Sequence, residues 1–364
     1  MIPAALGVQD GRFVALDPTT GAATSSELPE ACPDTLPDAR VNVEHDAAAL
    51  GPIRVAITVD TEDAYFTSPR LMTGEGIGGA WGVGGILDEL AQHEVTATFF
   101  VNVFESDRQP AGAVRDVVRE IAERGHEVAL HSHPAPDLPW YSQPLFWKTR
   151  QAQVDIFKRG QSTLQEWSGQ PVISFRAGGY AVNDHTFEAL SDTGFRIDSS
   201  VYFPSPNNRI TRFTVNAPRL IGDLVEAPVT YVIRVDGQGD AVEHRKLDFD
   251  WLTTSQLIQG MGRLRASAAS TAVFMMHSFS FIDKATWPPD HPRSPRARFT
   301  SAVVFNRYVE IYGPKPEARG EFGGLLGQLR SDPQIKLGSL VEAESDLRAA
   351  ADSRARDVIP VLVR

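Results

Sequence analysis

The sequence predicts an α/β fold in which a parallel sheet is flanked by helices, as an open doubly wound sheet or as a barrel. Short apolar runs rich in β-branched residues alternate with amphipathic stretches from residue 53 almost to the end of the chain. Such runs are typical of buried parallel strands, and the stretches between them are typical of crossover helices. No internal repeat or low-complexity tract interrupts the alternation.

The strands are predicted from continuous apolar runs that are bounded by turn residues. The N-terminal run RFVAL, which precedes an Asp-Pro turn, predicts an additional short strand. In chain order the predicted strands span residues 12–16, 53–59, 97–103, 127–131, 172–176, 195–198, one or two stretches within 224–233, 271–277 and 335–337.

The helices are predicted from apolar residues at helical spacing and from end signals. Gly125 ends one helix, a Gly-Gln-Pro stretch follows another, and Asn183 and Gly194 are placed to cap a third. In chain order the predicted helices span residues 81–93, 113–124, 146–167, 183–190, 253–264, 302–312, 319–329 and 340–350.

The composition excludes several classes of function. The 364 residues include 35 Lys and Arg against 46 Asp and Glu, a formal net charge of −11. An acidic chain is repelled by phosphates, so neither nucleic acid nor an anionic membrane surface is an expected partner. With Cys32 as the single cysteine, neither an internal disulfide nor a thiolate zinc cluster can form. No membrane span and no secretion signal are recognisable, and we expect a soluble, cytoplasmic protein.

Titratable side chains gather at the carboxyl ends of four predicted strands, where parallel α/β folds place their sites. Asp60 and Glu62 project to the same side of an extended chain. Two carboxylates in a half-buried place repel each other unless a cation or a shared proton intervenes. We therefore predict a metal ligand and a general base here, against the alternative of a solvated turn.

Histidines and an arginine end the other strands. His131 and His133 are about 6.6 Å apart along a strand, so that their imidazoles can converge on one ion. His277 follows an apolar run and by itself would fit a structural histidine. A buried Arg176 requires an acidic partner, and Asp198 is a candidate partner for Arg176 or for His277.

These residues occur in an order that resembles the polysaccharide deacetylases of the NodB-homology type, carbohydrate esterase family four. The resemblance extends over residues 53–340 and rests on five motifs, each at a strand end. They are Thr-Val-Asp-Thr-Glu at 58–62, Gly-His-Glu-Val-Ala-Leu-His-Ser-His-Pro at 125–134, Phe-Arg-Ala-Gly-Gly-Tyr-Ala-Val-Asn at 175–183, Asp-Ser-Ser-Val at 198–201 and Met-His-Ser-Phe-Ser at 276–280.

The resemblance implies a distorted (β/α)7-type barrel and a role for each motif residue. It makes Asp60 the catalytic base, Arg176 the residue that holds this base, and His277 the general acid. It makes Asp198 the acid that tunes His277. The implied metal ligands are Glu62 and His131, with His133 as the second histidine, and the implied oxyanion-binding groups are the backbone N–H groups of Gly179 and Tyr180.

The motifs also depart from the family pattern, which is typical of a divergent branch. The usual Asp-Asp pair is replaced by Asp60-Thr61-Glu62, and the usual His-x-x-x-His is replaced by His131-Ser132-His133. The domain organisation that follows is an N-terminal extension over residues 1–52, a deacetylase barrel over 53–345 and a C-terminal tail over 346–364.

The predicted cofactor is one divalent metal ion, zinc foremost, with cobalt, nickel or manganese as alternatives. The predicted reaction removes an acyl group from an acetylated carbohydrate. A small-molecule amidohydrolase on the same barrel, an Asp-x-Glu two-metal 3′–5′ exonuclease and a non-catalytic sugar-binding relative remain alternatives. The sequence contains no signal for an oligomeric state.

Overall fold

The structure is a computed structural model of the chain. It describes residues 5–9, 12–16, 23–24, 51–63, 70–74, 79–107, 111–133, 144–203, 205–210, 215–235, 241–283, 313–352 and 361–363. The predicted helix at 302–312 and most of the N-terminal extension lie outside these ranges.

The strands follow the predicted order, with several additional short ones. They are β1 Ala5–Gln9, β2 Arg12–Leu16, β3 Ala23–Thr24, β4 Ile53–Thr61, β5 Thr98–Asn102, β6 Glu127–Ser132, β7 Ser174–Ala177, β8 Val182–Asn183, β9 Ile197–Asp198, β10 Asn208–Arg209, β11 Arg219–Ile221, β12 Leu224–Glu226, β13 Tyr231–Val235, β14 Ala241–Lys246, β15 Thr271–His277, β16 Ile282–Asp283, β17 Gly313–Pro314, β18 Ile335–Gly338 and β19 Val361–Val363.

The helices of the described ranges match the predicted ones closely, apart from the additional short α1. They are α1 Arg70–Thr73, α2 Val83–Gln92, α3 Ala111–Glu123, α4 Arg150–Ser168, α5 Asp184–Asp192, α6 Thr254–Ala266, α7 Pro316–Ser331 and α8 Leu340–Asp352. Asn183 caps α5 and Thr253 caps α6, each through a capping box. None of the helices in these ranges combines the length and apolar character that crossing a membrane requires.

The main sheet is a curled half-barrel with helices on its outside. Its strand order is β11-β12-β9-β7-β6-β5-β4-β15, and β18 pairs with the first half of β4. All of these pairings are parallel except that between β11 and β12. This architecture confirms the predicted barrel-type α/β fold.

Backbone hydrogen bonds link the two edges of the sheet. The Met275 N–H of β15 donates to the Leu247 carbonyl at 2.9 Å, and the Leu247 N–H donates to the Thr230 carbonyl at 2.8 Å. Thr230 follows β12 by a few residues, and the neighbouring Val229 N–H donates to the carbonyl of Val201, which follows β9, at 2.8 Å. Residues 229–230 and 247–249 therefore close much of the gap between β12 and β15.

One end of the barrel is closed by α8. The Leu340 N–H donates to Thr98 Oγ1 at 2.8 Å, and the Val341 N–H donates to Glu127 Oε2 at 3.0 Å. Thr98 and Glu127 are the first residues of β5 and β6, so α8 covers the end at which the strands begin. Its apolar side packs against Phe100 and other residues inside the barrel. The opposite end, where the strands finish, is left for the site.

The boundaries at 52 and 345 remain a prediction. Helix α8 runs across residue 345, and β19 of the tail pairs in parallel with β13.

Candidate active site

Alternation along each strand directs the polar residues into the barrel. In β4, Ala56 lies in the inner cluster, and Asp60, four residues later, points to the same side. In β15, Val273 is in the same cluster, and His277 follows it at the same spacing. The register places His277 directly beside Asp60, so these side chains form the rim above the inner core.

Asp60 and Arg176 form a buried ion pair. Arg176 Nη1 donates to Asp60 Oδ1 at 2.6 Å, and the two side chains are 0% and 5% exposed. Burial alone raises the pKa of Asp60, but the positive charges of Arg176, His131 and His277 outweigh it and hold the pKa below its usual value. Asp60 is therefore an anion whose Oδ1 is bound to Arg176, and Oδ2 is its other oxygen.

The orientation of Arg176 is fixed by several further contacts. Its Nη1 also donates to Thr58 Oγ1 at 3.0 Å, its Nε donates to the Ser199 carbonyl at 3.1 Å, and its Nη2 donates to Ser199 Oγ at 3.0 Å. The guanidinium carbon lies 4.2 Å from the centroid of the Phe100 ring. These contacts compensate for the complete burial of the guanidinium.

Glu62, His131 and His133 form a compact donor group. Glu62 Oε2 lies 2.9 Å from His133 Nε2 and 3.4 Å from His131 Nε2. One ligand atom from each residue lies within 4.8 Å of the other two. Burial opposes ionisation of Glu62, yet the two imidazoles hold its pKa well below the usual range, and Glu62 in turn raises the pKa of His133 against the effect of burial.

Neighbouring groups orient the donor side chains. His131 Nδ1 lies 2.9 Å from the Arg176 carbonyl oxygen, which directs Nε2 toward Glu62. The Glu62 N–H donates to Ser278 Oγ at 3.2 Å, and the Ser278 hydroxyl donates to the Glu62 carbonyl at 2.6 Å. Gly178 lies against the His133 ring, because a Cβ at this position would be 2.4 Å from the imidazole. A side chain at position 178 would therefore displace a donor.

His277 is paired with Asp250. His277 Nδ1 lies 2.6 Å from Asp250 Oδ2, and the imidazole stacks on Phe279 with centroids 4.9 Å apart. Burial lowers the pKa of His277, but Asp250, together with Asp248 and Asp60, outweighs this and raises it above the usual value. The imidazole is therefore held as a proton donor.

Asp198 lies beside Ser200 and Glu226. Its side chain accepts a hydrogen bond from Ser200 Oγ at 2.5 Å and lies beside Glu226 in the register of β9 and β12. Burial raises the pKa of Asp198, and that of Glu226 well above its range, so this carboxyl pair keeps a proton. Of the two predicted partners, Arg176 is the one whose charge acts on Asp198, since it lowers the pKa of this carboxyl against burial, whereas Asp198 is not among the groups that shift the pKa of His277.

Sequence reasoning missed Asp248 and Asp250. The signal was present, because an Asp-x-Asp stretch follows an apolar residue after β14, in the same pattern as Asp60-Thr61-Glu62. The sequence does not predict these two residues as site residues because β14 is charged and is not predicted as a strand. With His277 these residues make a second group of metal-type donors, but Lys246 Nζ already lies 3.0 Å from Asp248 Oδ2.

Gly179 and Tyr180 form a tight turn after β7. Both have positive φ, 60° and 59°, which is uncommon for a tyrosine. The Tyr180 hydroxyl donates to Met275 Sδ at 2.9 Å, and Asn207 Nδ2 donates to the Gly179 carbonyl at 2.9 Å. The turn is thus anchored from two sides, and backbone strain of this kind is common at functional sites.

Comparison with known proteins gives one family match. Residues 79–197 match the family model described as polysaccharide deacetylase. The matched segment includes His131, His133 and Arg176, whereas Asp60, Glu62 and His277 lie outside it.

Solved structures with a similar fold include a candidate polysaccharide deacetylase from Mycobacterium smegmatis. It is 17% identical, with a TM-score of 0.51 over 84% of this chain and 93% of that one. A family 4 carbohydrate esterase from Streptomyces lividans in complex with acetate is 14% identical, with a TM-score of 0.38 over 86% and 100% of the two chains. A pseudoenzyme of the same family from Bacillus anthracis is 14% identical, with a TM-score of 0.35 over 63% and 57%.

Proposed function

We propose that the protein is a metal-dependent hydrolase that removes acetyl groups from a carbohydrate, because residues 79–197 match the polysaccharide deacetylase family model. The observation that carries the proposal is the juxtaposition of three groups at one end of the barrel. They are the Glu62–His131–His133 donor group, the Asp60–Arg176 pair and the Asp250–His277 pair.

The donor group fits a divalent ion. Two imidazole nitrogens and one carboxylate oxygen are the ligands that zinc takes in catalytic sites, with a further position left for water or substrate. The Cβ-free Gly178 gives His133 the room to present Nε2, and the Arg176 carbonyl fixes the His131 tautomer. A divalent ion held by Glu62, His131 and His133 would supply Lewis acidity for an acyl carbonyl and for water.

Asp60 is the proposed base. Its pKa lies below the usual value, so the carboxylate is ionised over the whole range in which imidazoles titrate. Arg176 occupies Oδ1, and Oδ2 is the oxygen that accepts the proton of the attacking water. General-base catalysis of this kind contributes roughly 10²–10⁴-fold in rate.

His277 is the proposed acid. Asp250 holds the Nδ1 side of the ring, so Nε2 carries the proton that is delivered to the leaving amine or alcohol. Asp250 and the other nearby carboxylates raise the pKa of His277 and so extend the protonated form of the ring to higher pH. The backbone N–H groups of Gly179 and Tyr180 are proposed to stabilise the oxyanion.

The donor chemistry weighs against a two-metal exonuclease, because such sites are built from carboxylates, whereas this group has two imidazoles. A small cyclic amide remains the alternative substrate on the same groups. The remaining alternative is a non-catalytic sugar-binding protein, which would have the same barrel but would not carry out the reaction.

The test is acetate release from a panel of N-acetylated sugars by protein that has been stripped of metal and reloaded with zinc, cobalt, nickel or manganese. We expect release with at least one sugar, loss of release after chelation, and recovery when the metal is returned. Asp60→Asn should reduce kcat by about 10³-fold, and because it also leaves the buried Arg176 charge unpaired, kcat is compared at a temperature where circular dichroism shows the variant to be folded. Asp88→Asn, in the exposed Arg124 ion pair, is the matched control.

Failure to release acetate from any sugar with any metal would contradict the deacetylase assignment. Release from small cyclic amides under the same conditions would then favour the amidohydrolase. Equal activity of Asp60→Asn and the native protein would contradict the role of Asp60.

A further inference from the structure

Lys246 is a charged residue beside the proposed acid that the mechanism above does not use. It is the last residue of β14, and its side chain is 15% exposed. Its Nζ lies 3.0 Å from Asp248 Oδ2 and 5.4 Å from the centroid of the Tyr180 ring. The ammonium therefore lies between a buried carboxylate and the tight turn after β7.

A chain of contacts connects this ammonium to His277. Asp248 is fully buried, and its Oδ1 accepts the Asp250 N–H at 2.8 Å. Asp250 Oδ2 in turn contacts His277 Nδ1 at 2.6 Å. Asp248 thus holds the backbone of the residue that orients the imidazole.

Two carboxylates two residues apart and facing one imidazole present an electrostatic problem. Burial and the proximity of Asp250 favour the protonated form of Asp248, whereas Lys246 and His277 favour the ionised form, and on balance the pKa of Asp248 lies above its usual value. A protonated Asp248 would remove one of the anions that face His277. Lys246 opposes this, because its ammonium is the cation in contact with the Asp248 carboxylate.

We propose that Lys246 is a positioning residue which keeps Asp248 ionised and thereby fixes the Asp250–His277 pair. The proposal rests on the assignment of His277 as the acid of the proposed reaction. The proposal also bears on the second group of metal-type donors, Asp248, Asp250 and His277. Because the Lys246 ammonium already balances the negative charge of Asp248, these residues are better described as a row of paired charges than as a metal site.

The groups that face His277 decide the direction of the expected change. Asp248 and Asp250 approach it from the segment after β14, and Asp60 approaches it from β4. Lys246 lies behind Asp248, one contact further from the ring. In Lys246→Met, Asp248 takes up a proton, so the loss of this nearer anion outweighs the loss of the more distant cation, and the pKa of His277 falls.

The experiment is a histidine NMR titration of the zinc-loaded full chain. The His277 signal is assigned by its disappearance in His277→Gln. In Lys246→Met we expect the His277 pKa to fall by about one unit. Lys246→Arg keeps the charge and should titrate within a few tenths of a unit of the native protein. Arg234→Met, which breaks the Arg234–Glu243 pair on the same hairpin, is the matched control and should leave His277 unchanged.

A double variant separates positioning from stability. In Lys246→Met the buried Asp248 loses its ion-pair partner and must take up a proton, which destabilises the fold, whereas Lys246→Met with Asp248→Asn removes both members of the pair together. The double variant should recover much of the lost stability, yet its His277 pKa should stay low. Its kcat, if the deacetylase is active, should remain reduced by roughly tenfold with little change in KM.

An unchanged His277 pKa in Lys246→Met, or recovery of the native value in the double variant, would overturn the proposal. The titration needs no substrate, so its result is distinct from that of the acetate screen. A chain that releases no acetate but shows the shift would contradict the proposed function and leave the role of Lys246 supported.

Discussion

The charged guanidinium of Arg176 has no exposure to solvent. Its contacts with neighbouring side chains therefore determine the orientation and the ionisation of those side chains. Asp60, Thr58 and Ser199 together satisfy the guanidinium. Removing one member of such a buried pair costs about 3–5 kcal/mol, because the remaining charge is left uncompensated. The same pairing holds the base ionised, so the stability of this corner and the proposed chemistry depend on one contact.

At the residue scale, Asp250 determines the pH dependence that we expect for the proposed reaction. Asp250 raises the pKa of His277 and so extends the protonated form to higher pH. Asp250→Asn removes this anion, and the basic limb of the pH profile of kcat should move to lower pH, with kcat reduced by about 10- to 100-fold. The acid limb, which reports Asp60, should stay below the usual carboxyl range because its pKa is lowered.

The measurement is kcat between pH 4 and pH 10 with the sugar that the acetate screen identifies. Asp184→Asn, at the start of α5, is the control because Asp184 lies at a helix N-terminus away from this pair. A basic limb in Asp250→Asn that lies at or above the native position would contradict the assignment of His277 as the acid.

A second prediction at the residue scale concerns Gly178. In Gly178→Ala the new Cβ would meet the His133 ring at 2.4 Å, so the imidazole must rotate away from Glu62. We expect zinc affinity to fall by about 10- to 100-fold, as when a group supporting a ligand is lost. Isothermal titration of metal-free protein measures this. Gly320→Ala, where the added Cβ meets nothing within 4 Å, should bind zinc like the native protein.

Most residues of the candidate site could be predicted because they follow apolar strands. Where a strand is apolar on both faces, the first polar residue marks its end. The sequence therefore predicts Asp60, His131, Arg176 and His277 as site residues. For Asp198 the sequence leaves Arg176 and His277 as alternative partners, because it does not reveal which residues lie beside the end of a strand; the neighbouring Glu226 becomes visible only in the register of β9 and β12. Asp250 was missed because it follows a charged strand in a hairpin, where periodicity carries no burial signal.

At the scale of elements, close packing around the first turn of α2 limits which residues can be substituted there. Gly85 lies in the first turn of α2, and a Cβ there would be 1.9 Å from the Ala80 carbonyl oxygen. Because the obstacle is backbone rather than a side-chain tip, the helix must shift. The entry to α2 therefore requires glycine for lack of space, while its φ lies outside the left-handed region.

Gly85→Ala should lower the free energy of unfolding by about 1–3 kcal/mol, because an overpacked contact strains its surroundings. Gly262→Ala is the matched control in the interior of α6, where nothing lies within 4 Å, and should raise it by up to about 1 kcal/mol. Urea denaturation of both variants measures the difference. Equal effects of the two substitutions would contradict the close packing of α2.

Elements with an apolar face could be predicted, whereas the charged or very short strands of the separate β14-β13-β19 sheet could not. The strand at 271–277 and the helices with apolar faces were identified nearly to the residue, because burial imposes a period on the sequence. Strands β14 and β19 were missed. β14 carries four titratable residues among its six, and β19 has only three residues and gains its order from pairing with β13.

For the whole molecule, the described residues close one end of the barrel and place the candidate site at the other. Helix α8 closes the end where the strands begin, and long-range contacts such as Arg54 with Asp346 at 2.9 Å tie it to β4. The proposed chemistry occupies the other end. Sequence could indicate a barrel-type fold from the alternation. The way in which residues 229–230 and 247–249 bridge β12 and β15 depends instead on tertiary contacts between segments distant in sequence.

The measurement that tests the central claim most directly is the metal content per chain of the native protein, Glu62→Gln and Asp250→Asn after loading with zinc and dialysis. The two groups of metal-type donors contain one of these carboxylates each. We predict one ion in the native protein and in Asp250→Asn, and none in Glu62→Gln. A full ion in Glu62→Gln together with none in Asp250→Asn, or no bound ion in the native protein, would contradict the account.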